Sequence, residues 1–136
     1  MEGRHSGAWR VGVLRPVLHC KIHMAAVTAA HPDYVGSVTI DEQLLKAIDL
    51  RVNDKVLIAN CRNGARFETY VFRGEPDSGA IELNGAAAHL VEPGDKVIIM
   101  HFAMMDDEEY AIFRPKVALV DERNALSKVL RYEPGP

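Results

Sequence analysis

The sequence predicts a mainly β domain, barrel-like and small, with one or two short helices. Its 136 residues, 48% hydrophobic and 26% charged, match the size and composition of one globular domain. Turn signals recur roughly every ten residues, and the runs between them are rich in apolar and β-branched residues. An Asn-Gly pair at 63–64 adds a strong hairpin signal. Many short strands, rather than long helices, follow from these three observations.

The first half of the chain contains two strand segments and a helix. Val17–Thr28 is apolar and β-branched, and Val38–Ile40 follows a Gly-Ser break. Asp41 is a suitable N-cap for a helix over Glu42–Ile48, because a short carboxylate side chain can accept from the first free backbone N–H groups. Apolar residues at 44, 45 and 48 give that helix one buried face.

The central part of the chain is predicted to form a hairpin. Lys55–Ala59 is a compact apolar run, and Arg66–Phe72 alternates as the strand that returns after the turn. Asn63-Gly64 favours a type I′ turn, whose two central residues need positive φ. Ala80–Leu83 is predicted as a further strand, and the three alanines of Gly85–Leu90 as a short helix.

The last predicted strands are Lys96–Phe102, which follows a Pro-Gly turn, and Lys116–Val120. Residues 1–12 are expected to form a flexible extension, residues 13–122 the folded domain, and residues 123–136 a C-terminal segment with a mobile end.

Charge and composition exclude several classes of protein. Sixteen Lys and Arg against nineteen Asp and Glu give a net charge of −3, so a surface for nucleic acid is not expected. The apolar runs are far shorter than the roughly 20 residues that span a bilayer, and no membrane segment is expected. The two cysteines, Cys20 and Cys61, do not form a disulfide scaffold, and they favour a reduced, cytoplasmic setting.

The histidines and cysteines give no metal motif. His19 and His23 are four residues apart, but on a strand this spacing leaves them distant from each other. There is no Cys-x-x-Cys pair, so no metal is predicted. Cys61 has no recognisable base beside it and is predicted to be unreactive.

A series of motifs carries a resemblance to a known family. In order along the chain they are Lys21-Ile22-His23, Val27-Thr28, Tyr34-x-Gly36-Ser37-x-Thr39-Ile40-Asp41, Asn63-Gly64-x-Arg66-Phe67-x-Thr69-Tyr70, Asn84-Gly85-Ala86-Ala87-Ala88-His89, Gly94-Asp95, Asp106-Asp107-Glu108-Glu109 and Arg114-Pro115. Together they closely resemble aspartate 1-decarboxylase, a pyruvoyl-dependent family, without gaps from about Val13 to Glu122. The resemblance implies a six-stranded double-psi β-barrel with short helices.

The resemblance also implies that the protein cleaves itself. The peptide bond between Gly36 and Ser37 would break after an N→O acyl shift, and Ser37 would become a pyruvoyl cofactor. Thr69 and His23 match the residues that stabilise the oxyanion at Gly36. Glycine suits this position because it tolerates strained backbone conformations.

The implied reaction converts L-aspartate to β-alanine and CO₂, in pantothenate biosynthesis. The substrate amine would form a Schiff base with the pyruvoyl ketone derived from Ser37. Tyr70 matches the proton donor, and Arg66 and Lys21 match cationic contacts for the substrate carboxylates. The remaining residues implied to bind substrate are Thr69, Asn84, Gly85, Ala86 and Ala87.

The family assembles as a homotetramer with sites between subunits, and whether a maturation factor is needed is left open. Val35, Val38 and Met24 stand where the family often has Glu, Cys and Arg, but none of these positions is required by the chemistry. Two alternatives also stay open. One is a non-catalytic barrel protein with a binding or regulatory role, such as a DNA-binding regulator. The other is a pyruvoyl decarboxylase for another amino acid.

Overall fold

The computed structural model describes residues 12–133, and within them strands dominate. The strands are β1 (Arg15–Ala26), β2 (Ala29–His31), β3 (Ser37–Asp41), β4 (Lys55–Asn60), β5 (Arg66–Gly74), β6 (Ile81–Asn84), β7 (Lys96–Met105), β8 (Lys116–Val120) and β9 (Leu126–Arg131). The helices are α1 (Glu42–Ala47), a 3₁₀ helix (Gly85–Leu90) and α2 (Asp107–Ile112). The predicted mainly β fold with short helices is therefore confirmed. Along the described chain the strands number nine, whereas the predicted barrel has six.

The strands are hydrogen-bonded in the order β2-β6-β3-β5-β4-β7-β1-β8-β9. Three pairings are parallel: β1 with β8, β2 with β6 and β3 with β5. Parallel neighbours require crossover connections, so the chain passes repeatedly from one part of the sheet to another. Strands distant in sequence thereby become neighbours, and β3 lies between β6 and β5.

The core is aliphatic and lies on the inner face of these strands. On β3, Val38 and Ile40 are fully buried in it, and their neighbour Val71 on β5 is buried with them. Because side chains alternate along a strand, Ser37 and Thr39 point to the opposite, outer face. This alternation gives β3 one face for the core and one for polar side chains.

Both α-helices begin at an aspartate cap. The Asp41 side chain accepts a hydrogen bond from the backbone N–H of Gln43, as predicted for α1, which ends at Ala47. Helix α2 was not predicted from the sequence. Its signal is a capping box in which Asp106 and Glu109 each bond to the other's backbone N–H.

Two further strands were not predicted. The first, β2, is only three residues long, and the second, β9, lies in the segment 123–136 and pairs with β8. The predicted flexible extension at 1–12 lies outside the described residues except for Gly12, and so do residues 134–136. Among the residues that the structure describes, none of the helices is long and apolar enough to cross a membrane.

Candidate active site

The hydroxyl of Ser37 is buried at the first residue of β3. Its side chain has no exposed surface. Ser37 Oγ donates to the carbonyl oxygen of Val35 at 3.3 Å and accepts from Asn84 Nδ2 at 2.9 Å. A serine with both a donor and an acceptor partner is held in one orientation, next to the peptide bond that joins it to Gly36.

Asn84 ends β6, directly opposite Ser37 in the antiparallel register. It lies at the N-cap position of the 3₁₀ helix, but its side chain makes no capping hydrogen bond. Instead, Nδ2 donates to Ser37 and, at 3.1 Å, to Thr39 Oγ1. Its Oδ1 is buried and has no partner among the described residues. A buried oxygen without a partner costs free energy, so this oxygen is available to a group that enters the site.

The backbone at Gly85 touches the backbone at Gly36. Gly85 has φ of +76°, and a Cβ there would lie 2.6 Å from Gly36 Cα and 2.9 Å from Gly36 N. Only glycine combines this left-handed conformation with so close an approach. Gly36 itself is exposed, and Tyr34 and Val35 before it are 62% and 72% exposed. The Gly36–Ser37 peptide bond therefore lies where an exposed loop enters the buried strand.

Strand β5, the parallel neighbour of β3, carries three predicted site residues, of which Thr69 and Tyr70 lie next to the start of β3. The parallel register pairs Val38 with Val71, and its continuation aligns Ser37 with Tyr70 and Gly36 with Thr69. Tyr70 is half-buried and its ring meets that of Phe72 edge-on, with 5.6 Å between centroids. Arg66 is four residues before Tyr70, so the two side chains lie on the same outer face, and Arg66 is exposed at the start of β5.

Lys21 and His23 lie on β1, which is separated from β3 by three strands in the sheet order. The Lys21 ammonium lies over the ring of Tyr132, 5.3 Å from its centroid. His23 is half-buried, and its Nδ1 has no partner among the described residues. Hydrogen bonds and ion pairs within residues 12–133 do not join either side chain to Ser37. One chain thus assembles the Ser37 corner but leaves these two side chains apart from it.

The structure adds one residue that the sequence analysis gave no role. Thr39 shares the outer face of β3 with Ser37 and binds the same asparagine amide. The alternation of β3 was the available signal, since residues 37 and 39 must point the same way. Of the two alanines predicted to bind substrate, Ala86 is exposed and Ala87 half-buried on the 3₁₀ helix.

A second cluster of potential ligand side chains lies away from Ser37. His19, Cys20 and His101 bring one donor atom each to within 4.8 Å of one another. The spacing of His19 and His23 gave no metal motif, so no metal was predicted. His101 was not considered with them, because it is 82 residues from His19 and has no spacing signal that links the two.

Comparisons with known proteins agree on one family. The family model described as aspartate decarboxylase matches residues 13–127. A protein from Bacillus licheniformis named aspartate 1-decarboxylase is 52% identical over 121 residues, which are 89% of this chain and 95% of that protein. One of the same name from Bacillus subtilis is 50% identical over the same share of each.

Among solved structures, a computationally designed protein, msDPBB_sym2, is similar with a TM-score of 0.45 and 26% identity, over 64% of this chain and 99% of that one. The family model and the relatives together cover β1 to β8, including every predicted site residue. On this evidence the chain belongs to the aspartate decarboxylase family.

Proposed function

We propose that this protein is a self-processing, pyruvoyl-dependent decarboxylase that converts L-aspartate to β-alanine and CO₂ and so supplies pantothenate biosynthesis. Membership of the aspartate decarboxylase family supports the substrate and the reaction. The observation that carries the self-processing is the fixed, buried hydroxyl of Ser37 beside the contact between Gly36 and Gly85.

Cleavage begins when Ser37 Oγ leaves its bond with Val35 and attacks the carbonyl carbon of Gly36. The C–O bond forms, the C–N bond of the peptide breaks, and the freed amine takes the hydroxyl proton. Elimination then removes the Cα proton of Ser37 and breaks its Cβ–Oγ bond, so that Oγ stays in a new carboxylate on Gly36 and residue 37 becomes a dehydroalanine. The enamine of this residue tautomerises to an imine. Water finally replaces the nitrogen, and ammonia departs. The products are residues 1–36 and a fragment 37–136 that begins with a pyruvoyl group.

The residues around Ser37 fit this sequence of steps. The register puts Thr69 beside Gly36, where its hydroxyl can donate to the oxyanion that develops there. His23, the second predicted donor, lies apart from Ser37 within one chain and would act from a second copy; its buried Nδ1 has no partner in the described chain. The tight backbone approach of Gly85 leaves no room for a side chain at this point. The same corner has a free acceptor, Asn84 Oδ1, for a product or substrate N–H.

The pyruvoyl group supplies a ketone that can take up the electron pair left by the departing carboxylate. The protein's own residues bind and protonate. Tyr70, aligned with Ser37 on the outer face, is the proton donor, since a phenolic O–H group can act as a general acid. Arg66 on the same face presents a planar fork that suits a carboxylate. Asn84 and the 3₁₀ helix that follows it complete the substrate pocket.

We also infer that the site is completed by a second copy of the chain, in a homotetramer. The support is the separation of Lys21 and His23 from Ser37 within one chain, together with the exposure of Arg66, which has no side-chain partner among residues 12–133. The enzyme is proposed to act in the cytoplasm, where an exposed thiol such as Cys61 stays reduced.

The decisive experiment is the intact mass of the purified protein. We expect two fragments, with 37–136 lighter than the plainly hydrolysed fragment by one ammonia. Ser37→Ala should give one uncut chain that releases no CO₂ from aspartate. Ser127→Ala, which changes an exposed serine on β9, should be cut and active like the parent.

Decarboxylation of aspartate by uncut Ser37→Ala would refute the cofactor. An uncut wild-type chain, both alone and after incubation with a cell extract that contains maturation factors, would support instead the non-catalytic alternative. A cut chain that releases CO₂ from glutamate and not from aspartate would refute aspartate as the substrate and support a pyruvoyl decarboxylase for another amino acid.

A further inference from the structure

The strongest feature outside the Ser37 corner is a cluster of nitrogen and sulfur side chains between β1 and β7. Cys20 is opposite His101 in the antiparallel register, and Leu18 is opposite Phe102. His19 is therefore an extra residue, a β-bulge in β1. Consecutive residues of a regular strand point to opposite faces, but a bulge redirects one of them. The bulge allows His19 and Cys20 to approach His101 together.

The distances in this cluster are close to those of a metal site. The Nδ1 atoms of His19 and His101 are 3.0 Å apart. Two imidazole nitrogens bound to one tetrahedral Zn²⁺ lie about 3.3 Å apart, since each bond is about 2.0–2.1 Å long. The most distant pair of the three donor atoms is within 4.8 Å. Sulfur and nitrogen bound to one tetrahedral zinc lie about 3.6 Å apart, so a shift of roughly 1 Å closes any gap of this kind in the cluster.

The surroundings orient these donors and leave one of them without another role. Cys20 is fully buried, and its thiol makes no hydrogen bond to any residue between 12 and 133. Phe113 stacks on the ring of His19 at 5.5 Å. Asp54 Oδ1 lies 3.9 Å from Nε2 of His101, on the side of the ring away from His19. A carboxylate in this position favours the tautomer with a proton on Nε2 and a free lone pair on Nδ1.

We propose that His19, Cys20 and His101 bind a divalent transition-metal ion of the zinc class. Two imidazole nitrogens and one thiolate are ligands that zinc accepts, and water or a fourth side chain would complete the tetrahedron. On binding, the Cys20 S–H bond breaks, the sulfur joins the metal as thiolate, and one proton leaves to solvent. No electron is transferred. The ion would tie β1 to β7 one residue before Lys21, a predicted substrate contact, while His19, Cys20 and His101 themselves have no role in the proposed decarboxylation.

Burial affects the protonation of two of the proposed ligands. Desolvation raises the pKa of Cys20 to about 12, so without a cation the sulfur stays protonated at neutral pH. Burial, followed by the neighbouring His101, lowers the pKa of His19, which keeps its imidazole neutral and able to coordinate. The neutral imidazole is ready to coordinate, whereas the thiol must lose its proton when the metal binds, so zinc affinity should rise with pH.

The test is zinc binding by the full chain, stripped of metal with a chelator and titrated with Zn²⁺ against a chromophoric chelator. We expect one zinc per chain and release of one proton per zinc. Asp54→Asn, which removes the carboxylate that faces the ligand His101, should weaken binding by roughly 10–100-fold, and His101→Ala and Cys20→Ala should each weaken it by more. His89→Ala, an exposed histidine on the 3₁₀ helix, should bind like the parent.

Cobalt gives a second readout that does not depend on variant stability. Co²⁺ bound to the wild-type chain should show a thiolate-to-metal charge-transfer band in the near ultraviolet. Absence of that band, or equal zinc affinity in the wild type and His101→Ala, would overturn the proposal. Ser37→Ala should bind zinc as tightly as the parent, so failure of the metal site and failure of self-processing would be told apart.

Discussion

Two buried asparagines end strands in this protein, and their side chains differ in one respect. Asn60 ends β4 and Asn84 ends β6, with 1% and 4% of their surfaces exposed. Asn60 Nδ2 donates to Leu90 O and to Asp95 Oδ2, and its Oδ1 accepts from the backbone of Arg62. Every polar atom of the Asn60 side chain is thus satisfied, whereas Asn84 keeps one oxygen without a partner among the described residues.

The surroundings of Asn60 are also saturated. Asp95 accepts from Arg62 Nε at 2.6 Å, from Asn60 and from the backbone of Glu92. The Arg62 guanidinium, with the amide of Asn60, holds the pKa of the Asp95 carboxyl well below its usual range. A network in which the buried donors and acceptors are matched stabilises the turn between the 3₁₀ helix and β7, but it leaves no free polar group that could bind a ligand.

The difference indicates what each corner does. A polar network with no free group stabilises the fold, while a network with a free acceptor beside a fixed hydroxyl and an exposed peptide bond is suited to chemistry. Substitutions on the Asn84 side should therefore change cleavage and activity more than stability. Those on the Asn60 side should do the reverse.

The largest effect is expected from Gly85→Ala. The added Cβ would collide with the backbone of Gly36, which cannot move aside as a flexible side chain would. We expect self-cleavage to be almost abolished, measured as the uncut fraction by mass spectrometry. Gly64→Ala is the matched control, because Gly64 has the same φ of +76° but nothing within 4 Å of an added Cβ. It should lose about 1–2 kcal/mol for the left-handed backbone alone and cut normally. Equal cleavage in the two variants would show that the close contact between Gly85 and the Gly36 backbone is not required for cleavage.

Tyr70→Phe should separate catalysis from cleavage on the active side of the comparison. The variant keeps the ring that meets Phe72 and loses only the hydroxyl. We expect normal cutting and a fall in kcat on the order of 10²–10⁴-fold, as for loss of a general acid. Tyr110→Phe, on the exposed face of α2, is the control and should leave kcat unchanged. A fully active Tyr70→Phe would assign the proton donor elsewhere.

The two asparagines allow a direct exchange test. Asn84→Ala removes the donor to Ser37 and Thr39, so the hydroxyl loses its fixed orientation and cleavage should slow by about tenfold or more. Asn60→Ala leaves the Leu90 carbonyl and the Asp95 carboxylate each short of a donor, and should lower the free energy of unfolding by about 1–3 kcal/mol with normal cleavage. The measurements are the rate of chain cutting and denaturant unfolding of each variant. The same loss of stability and of cutting rate in both variants would end the distinction.

Much of the Ser37 side of this comparison was accessible from the sequence. The family resemblance implied that Ser37, Asn84 and Gly85 belong to one site, and these three residues do lie together in the structure. The Asp41 cap of α1 followed from local chemistry alone. What the sequence could not give was contact between residues 47 positions apart, because that depends on the register between β3 and β6. The free oxygen of Asn84 becomes visible only once both of its amide hydrogens have partners.

The cluster at His19 shows the same limit more sharply. A period of two along β1 predicts that His19 and Cys20 face opposite ways, and the bulge that changes this leaves no mark in the residues themselves. The capping box of α2 is the opposite case. Asp106 and Glu109 have the spacing of a capping box, so this helix could have been predicted from the sequence, although it was not. Local hydrogen bonds can be inferred from sequence, and register between distant strands cannot.

The smallest effect is expected from Asp95→Asn, which tests the saturated side through pH. A carboxyl whose pKa is lowered by folding stabilises the protein above the ordinary aspartate value of about 3.9, and this contribution fades as the pH falls below it. The melting temperature of Asp95→Asn should therefore be below that of the parent at pH 7, and the gap should narrow towards pH 3. Asp33→Asn, an exposed aspartate with no side-chain partner within residues 12–133, should show no such gap. Cleavage should be normal in both, because the saturated network has no contact with Ser37. A difference in melting temperature that is unchanged at pH 3 would show that the charge of Asp95 does not stabilise the fold. Slower cleavage in Asp95→Asn would show that the Asn60 network and the Ser37 site are coupled.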